Sequence, residues 1–121
     1  MEHRAGDHGA RVVDARVDRV FAALADPRRR FVLERLASSG SASQTELAGE
    51  LPVTRQAVAK HLATLRDAGL VCARRQGRET RYELEFAPLG DAAAWLERVG
   101  AEWDSRLAAL ARHVSARPDD A

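Results

Sequence analysis

The strongest constraint on the fold is a pair of helix start signals separated by a proline. Ser43-Gln-Thr-Glu46 has the form of a capping box, in which a serine hydroxyl and a glutamate carboxylate satisfy free amides at a helix start. Pro52 removes an amide donor and disfavours helical dihedrals at the residue before it, so this helix has room only for about Gln44 to Glu50. Thr54 supplies a second N-cap oxygen. The segment therefore predicts a short helix, a turn and a second helix.

The second helix is predicted over Arg55 to Asp67. Apolar residues recur there at i, i+4 and i+7, the spacing of one buried helix face, at Val58, Leu62 and Leu65. Ala68-Gly69 ends the helix, because glycine is the usual residue at the left-handed position past a helix C-terminus.

An arginine-rich hairpin is predicted next. Leu70 to Ala73 and Thr80 to Phe86 have the composition of strands, and they flank the turn Gln76-Gly77-Arg78. One face of the second strand carries Tyr82, Leu84 and Phe86. Helix, turn, helix and hairpin in this order indicate a winged helix-turn-helix, which places one helix in the major groove of DNA. We expect a mainly α fold of about five helices with a small β-hairpin wing.

Two packing helices are predicted before this unit. The first runs from Asp14 or Arg16 to Ala25. Asp26-Pro27 then supplies an N-cap and a first-turn proline for a second helix, which is expected to end at Ala37.

A long last helix is predicted to open at Pro88. Its apolar residues repeat at a mean interval of 3.6, which gives a straight helix one apolar stripe: Leu96, Val99, Trp103, Leu107, Leu110 and Val114. Residues 14–115 are expected to form one winged helix-turn-helix domain, with flexible tails at 1–13 and 116–121.

Charge is divided unevenly along a chain whose net charge is only +1. The balance of basic over acidic residues is 0 over residues 1–53, +5 over 54–81 and −4 over 82–121. Lys60 is the only lysine beside 18 arginines, so the arginine count alone does not indicate nucleic-acid binding. The positive charge is nonetheless gathered in the second helix and the wing, where a phosphate-binding surface needs it.

Three motifs resemble the ArsR-type bacterial repressors: Leu24-Ala-Asp-Pro-Arg28, Gln56-Ala-Val-Ala-Lys-His-Leu62 and Leu65-Arg-Asp-Ala-Gly-Leu-Val71. The resemblance covers roughly Val17 to Val114. It implies a homodimeric transcriptional regulator, most simply a repressor that binds an inverted-repeat operator in double-stranded DNA. It also implies that the first and last helices pair with those of a second subunit. The residues expected at this dimer interface are Val17, Val20, Phe21, Leu24, Leu96, Val99, Trp103, Leu107 and Leu110.

The first turn of a recognition helix reaches base edges, so the DNA-contacting candidates there are Thr54, Arg55, Gln56 and Lys60. Gln56 can present its amide to adenine, whereas Lys60 suits a phosphate better than a base. For the neighbouring His61, a DNA contact and a structural hydrogen bond both stay open. The wing candidates for phosphate or minor-groove contacts are Arg74, Arg75, Arg78 and Arg81.

The chain lacks the ligands of metal-sensing relatives. Such members carry a cysteine pair in the helix before the recognition helix, or Asp and His ligands on the last helix, because zinc or arsenic needs three or four converging donors. Here Glu46-Leu-Ala-Gly-Glu50 contains no cysteine, and Cys72 is expected to be a small buried residue rather than a redox sensor. We expect no metal and no cofactor, and the identity of a small-molecule effector, if there is one, stays open.

Other functions are less well supported. Ser43 or Thr54 with His61 and Asp67 supplies the residue types of a hydrolytic triad, but His61 and Asp67 point in different directions on one helix, so no enzyme is expected. The stronger alternative is a winged helix used for protein contact or as a non-sensing structural DNA binder. A single cysteine, with neither a signal peptide nor a bilayer-spanning apolar run, favours a cytoplasmic protein.

Overall fold

The computed structural model of this protein describes residues 15–115, so the tails predicted at 1–13 and 116–121 lie outside the described residues. The helices are α1, described over residues 15–24, α2 (Pro27–Ser39), α3 (Gln44–Glu50), α4 (Arg55–Asp67) and α5 (Phe86–Ser115). The strands β1 (Ala42–Ser43), β2 (Val71–Gln76) and β3 (Glu79–Leu84) form an antiparallel sheet in the order β1-β3-β2. The predicted mainly α fold with a β-hairpin wing is confirmed.

The predicted helix starts are capped by side chains. The Ser43 hydroxyl accepts a hydrogen bond from the Glu46 amide at 3.1 Å, and the Thr54 hydroxyl accepts one from the amide of Ala57 at 3.1 Å. The Asp26 carboxylate accepts the Arg28 amide at 2.8 Å, which is the main reason that the pKa of Asp26 is lowered. The bounds predicted for α3 and α4 are confirmed.

The core forms around the apolar face of α4. Val58, Leu62 and Leu65 are buried as predicted and pack into one cluster with residues of α1, α2, α3 and the start of the wing. The other large members of the cluster are Val20, Val32, Leu33, Leu36, Leu47, Leu51, Leu70 and Val71. Burying one valine or leucine side chain contributes about 1.5–3 kcal/mol. These contacts therefore fix the rotation of α4 about its axis and leave its opposite face to solvent.

A glycine turn joins α4 directly to the wing. Gly69 has a φ of 74°, and its amide donates to the Arg66 carbonyl at 2.9 Å. The Leu70 amide donates to the Leu65 carbonyl at 2.9 Å, which completes a Schellman motif at the helix end. Since Leu70 is fully buried and β2 begins at the next residue, this turn sets the direction in which the wing leaves α4.

The sheet has one strand more than was predicted. Ala42 pairs with Tyr82 and Ser43 pairs with Arg81, which adds β1 along the edge of β3. A strand of two residues is too short to produce an alternating pattern in the sequence, so it carries no local signal. Its effect is to attach the wing to the segment that leads into α3.

Several predicted boundaries are wrong by a few residues. β2 runs to Gln76 rather than to the predicted Ala73. Phe86 was expected on the second wing strand, but it begins α5 and is 70% exposed. The helix can begin before Pro88 because the amides of a first helical turn have no intrahelical partner, so proline costs little there. α2 likewise extends two residues past its predicted end to Ser39, and Gly40 terminates it with a φ of 88°.

Gly69→Ala is expected to destabilise the protein by about 1–2 kcal/mol, because an L side chain is strained in the left-handed conformation. The added Cβ would also lie 3.4 Å from the Pro88 ring. Gly49→Ala is the matched control, since Gly49 is helical with open space around a new Cβ, and alanine there should stabilise by about 0.5–1 kcal/mol. Urea unfolding followed by circular dichroism measures both changes. Equal stability of the two variants would contradict the role of this turn.

Candidate nucleic-acid interface

The solvent face of α4 carries the residues predicted to contact DNA from the helix. All four are exposed, namely Thr54, Arg55, Gln56 and Lys60. Gln56 and Lys60 are four residues apart and share the side of the helix opposite the buried cluster. The exposed Ala63 and Thr64 continue this side toward the helix C-terminus. They were not singled out from the sequence, although their spacing of three and four residues from Lys60 is the signal that identifies them.

The wing holds three exposed arginines, of which Arg75 and Arg78 lie near its tip. Its loop is Gly77-Arg78 rather than the predicted three residues, and Gly77 has the positive φ, 65°, that a type II′ hairpin turn requires. The Arg75 side chain donates to the Gly77 carbonyl at 3.3 Å, and Arg74 lies 3.6 Å from the Glu83 carboxylate. Exposed contacts of this kind are weak. The guanidinium groups of Arg74, Arg75 and Arg78 are therefore available to an external anion.

Arg81, the fourth predicted wing contact, points back into the protein. Its guanidinium donates to the Glu46 carboxylate at 2.8 Å, to the Ser41 hydroxyl at 2.9 Å and to the Glu79 carboxylate at 3.2 Å. Only 20% of the side chain is exposed, and its hydrogen bond is the main cause of the lowered pKa of Glu46. These oxygens already engage the guanidinium, which favours an internal tie for Arg81 over the predicted phosphate contact.

His61 lies away from the side of α4 shared by Gln56 and Lys60. It is half-buried beside the fully buried Leu62. The adjoining Val58, Leu62 and Leu65 face the core, so His61 lies at the edge of the buried side of α4. This location favours a structural role for His61 over a DNA contact.

α5 exposes a long apolar stripe. No residue after Ala92 is buried in the described part of the helix, and Trp103 is 60% exposed. The other exposed apolar residues of the stripe are Leu96, Val99, Leu107, Leu110 and Val114. Soluble monomers rarely leave a continuous apolar surface of this kind uncovered. The stripe is therefore suited to contact with another protein surface.

Two residues predicted at the dimer interface are buried inside a single protomer instead. Val17 and Val20 are 3% and 0% exposed, so they are not available to a second subunit, and that part of the prediction is wrong. Periodicity indicates which side of a helix is buried but not which surface covers it. Phe21 and Leu24 are half-buried against the same core, and the Phe21 ring meets Trp95 edge-on with 5.6 Å between centroids.

Neither a membrane-spanning helix nor a metal-ligand cluster occurs among the described residues. None of the helices over residues 15–115 is long and apolar enough to cross a membrane. Within the same range, no three side chains of His, Cys, Asp or Glu converge on a metal-binding arrangement. Cys72 is half-buried, and the influence of the Glu85 carboxylate, together with desolvation, raises the pKa of its thiol.

Known proteins match most of this chain. A family described as a helix-turn-helix domain matches residues 24–71. The HTH-type transcriptional regulator Rv2034 of Mycobacterium tuberculosis is 40% identical over 103 residues, which cover 85% of this chain and 92% of that protein. An ArsR-like transcriptional regulator from Rhodococcus sp. RHA1 has a similar solved structure, with a TM-score of 0.73 and 46% identity over 85% of this chain and 96% of that one. A homodimeric winged helix-turn-helix DNA-binding domain from Mycobacterium bovis matches with a TM-score of 0.60 and 30% identity, covering 84% and 89%.

The short capped helix, the solvent-facing α4 and the cationic wing define a winged helix-turn-helix protein that binds DNA and regulates transcription. Within that class, the chain belongs to the ArsR-type family.

Cys72 is expected to react slowly with alkylating agents at neutral pH. Its raised pKa keeps the sulfur protonated, and only the thiolate is an efficient nucleophile. The rate of iodoacetamide modification should therefore rise steeply only above the pKa of an ordinary cysteine. Glu85→Gln removes the main cause of the shift and should speed the reaction near pH 8. Rapid modification of the unaltered protein at pH 7 would contradict this assignment.

Proposed function

We propose that this protein is a homodimeric repressor that binds an inverted-repeat operator through α4 and the wing. The observation that carries the proposal is the clustering of exposed cations on these two adjoining elements. Residues 54–81 hold a balance of +5, whereas residues 82–121 hold −4. A duplex is a dense array of negative charge, so it is attracted to the first region and repelled by the second.

Base reading is assigned to the exposed side of α4. Gln56 is in the first turn, where a side-chain amide can form two hydrogen bonds with adenine. The methyl groups of Ala63 and Thr64 lie further along this side and suit contact with a thymine methyl. Arg55 is assigned to guanine or phosphate, and Lys60 is assigned to phosphate. The phosphate contacts fix the register of the helix in the groove.

Dimerisation is assigned to the apolar stripe of α5. Two copies of the stripe can cover each other about a two-fold axis, with Phe21 and Leu24 at the margin. The similar domain from Mycobacterium bovis is homodimeric, which supports dimerisation but does not identify the surface that forms it. A two-fold protein needs two half-sites on the same side of the duplex, about one helical turn or a multiple of it apart.

The function is tested by selecting fragments of the protein's own genome with the purified protein and sequencing them. The proposal predicts a shared inverted repeat that lies over a promoter. It also predicts that such a fragment resists competition by random duplex in a gel shift. Equal competition by random duplex would contradict sequence-specific repression and favour a structural DNA binder, while the absence of any binding would favour a protein-contact module.

Gln56→Ala and Arg78→Ala are expected to have different effects on the selected operator. Gln56→Ala should remove about 1–3 kcal/mol of discrimination at one base pair and leave affinity for random duplex nearly unchanged. Arg78→Ala should weaken binding to all duplexes. It should also reduce the steepness of log affinity plotted against log salt concentration by about 1. Titrations against single-base operator variants at several salt concentrations separate the two. An unchanged base preference in Gln56→Ala would overturn its assignment as a base reader.

Trp103→Glu is expected to convert the dimer into monomers at micromolar concentration, because it places a charge in the middle of the apolar stripe. Disruption of a central aromatic contact should raise the dimer dissociation constant by about 100-fold or more. Ser105→Glu is the matched control, since Ser105 is exposed on the opposite side of α5. Analytical ultracentrifugation measures both. A Trp103→Glu protein that remains dimeric would rule out this interface.

A further inference from the structure

We propose that Arg81 and Glu46 form a positioning clamp that holds the wing at the angle in which its arginines and α4 reach one duplex together. This inference rests on the proposed wing contact with DNA. Arg81 itself touches no phosphate in this arrangement. It acts through the exposed arginines near the wing tip, above all Arg78.

The clamp lies where the wing leaves the body of the domain. Arg81 is on β3, and Glu46 is on α3, the helix that precedes α4. One guanidinium nitrogen of Arg81 lies 2.8 Å from the Glu46 carboxylate, and its Nε lies 2.9 Å from the Ser41 hydroxyl. A further nitrogen donates to the Ser41 carbonyl at 3.3 Å. The planar guanidinium of Arg81 thus connects β3 to Ser41, just before β1, and to Glu46, on the helix that follows β1.

Glu46 connects the wing to the helical body. Its second carboxylate oxygen lies 3.7 Å from the guanidinium of Arg35 on α2. Arg35 also donates to Glu50 at 2.8 Å. The carboxylate of Glu46 is therefore shared by an arginine from α2 and an arginine from β3, so both elements are tied to α3.

The wing needs such an attachment. A two-stranded hairpin has little stability alone, and β1 pairs with only two residues of β3. Arg74, which pairs with Arg81 across the hairpin, is exposed, and so are Arg75 and the loop further out. Small changes in angle at Arg81 are magnified at Arg78, three residues further out along the hairpin.

The clamp should affect DNA binding more than folding. Ion pairs between partly exposed groups contribute little to stability because water screens them. The orientation of the wing, by contrast, decides whether its cations can contact phosphate while α4 lies in the groove. A residue with a purely structural role would change the unfolding temperature, whereas the clamp should change the energetic coupling between the wing and DNA.

The test measures the effect of Arg78→Ala on affinity for the selected operator in two backgrounds, with full-length protein. In the natural sequence, Arg78→Ala should weaken binding by at least about fivefold. In an Arg81→Gln background, which already loses the wing contact, adding Arg78→Ala should weaken it less than about twofold. The control background is Arg66→Gln, at an exposed arginine in the last turn of α4. There, Arg78→Ala should weaken binding by the same factor as in the natural sequence.

Arg81→Lys distinguishes a clamp from a direct phosphate contact. Lysine keeps the charge but cannot reproduce the fork, so it should bind as weakly as Arg81→Gln. Glu46→Gln keeps a residue that completes a capping box while removing the charge, and it should lose part of the affinity. Arg81→Lys that binds like the natural protein, or a full Arg78→Ala effect in Arg81→Gln, would overturn the clamp.

Amide hydrogen exchange provides a readout that does not need DNA. In Arg81→Gln, the amides around the wing loop should exchange faster, while those of α4 keep their protection. Unchanged exchange in the wing would overturn the clamp even where DNA binding by the proposed function is intact. If Arg78→Ala has no effect in the natural sequence, the proposed wing contact fails, and the clamp fails with it.

Discussion

The burial of one side of α4 is the interaction on which the rest of the structure depends. Val58, Leu62 and Leu65 are fully enclosed by the core, and no rotation of the helix keeps them there while turning Gln56 and Lys60 away from solvent. The hydrophobic effect thus sets the presentation of the polar residues, although it acts on the opposite side of the helix. Specific recognition needs this rigidity, because a side chain on a loosely packed helix cannot hold a fixed geometry against a base edge.

The same core also fixes the wing. The Schellman turn at Gly69 leads at once to Leu70, whose burial ties the start of β2 to the end of α4. The wing and the helix are thereby two parts of one surface rather than independent binding elements. Their cations are gathered by the local fold. α5 carries four acidic residues against three arginines and extends away from the core with its apolar stripe exposed.

Much of this arrangement was predictable because its determinants are local. The caps at Asp26, Ser43 and Thr54 each act within three residues, so the sequence alone is enough to locate the helix starts. The apolar spacing on α4 likewise identifies its buried side. The three exposed arginines of the wing follow from the hairpin pattern, since charges near the tip of a projecting ribbon have few internal partners.

The errors concern contacts between distant parts of the chain. Arg81 was predicted as a DNA contact because its partner, Glu46, is 35 residues away in the sequence. The capping box already gave Glu46 a local role, so the sequence offered no reason to pair it with Arg81. Val17 and Val20 follow the same periodicity whether the surface over them belongs to the same protomer or to a second one. β1 is too short to have a pattern at all. In each case the deciding interaction is tertiary, and nothing in the local sequence encodes it.

The salt dependence of operator binding tests the central claim most directly, namely that exposed cations on α4 and the wing meet the phosphates of one duplex. With Arg81 engaged internally, a dimer has about ten well-placed cations, and about half of them contacting phosphate gives a slope of log affinity against log salt near −4.5. We predict a slope between about −4 and −5. A slope close to zero would contradict the account, because binding would then not depend on these charges.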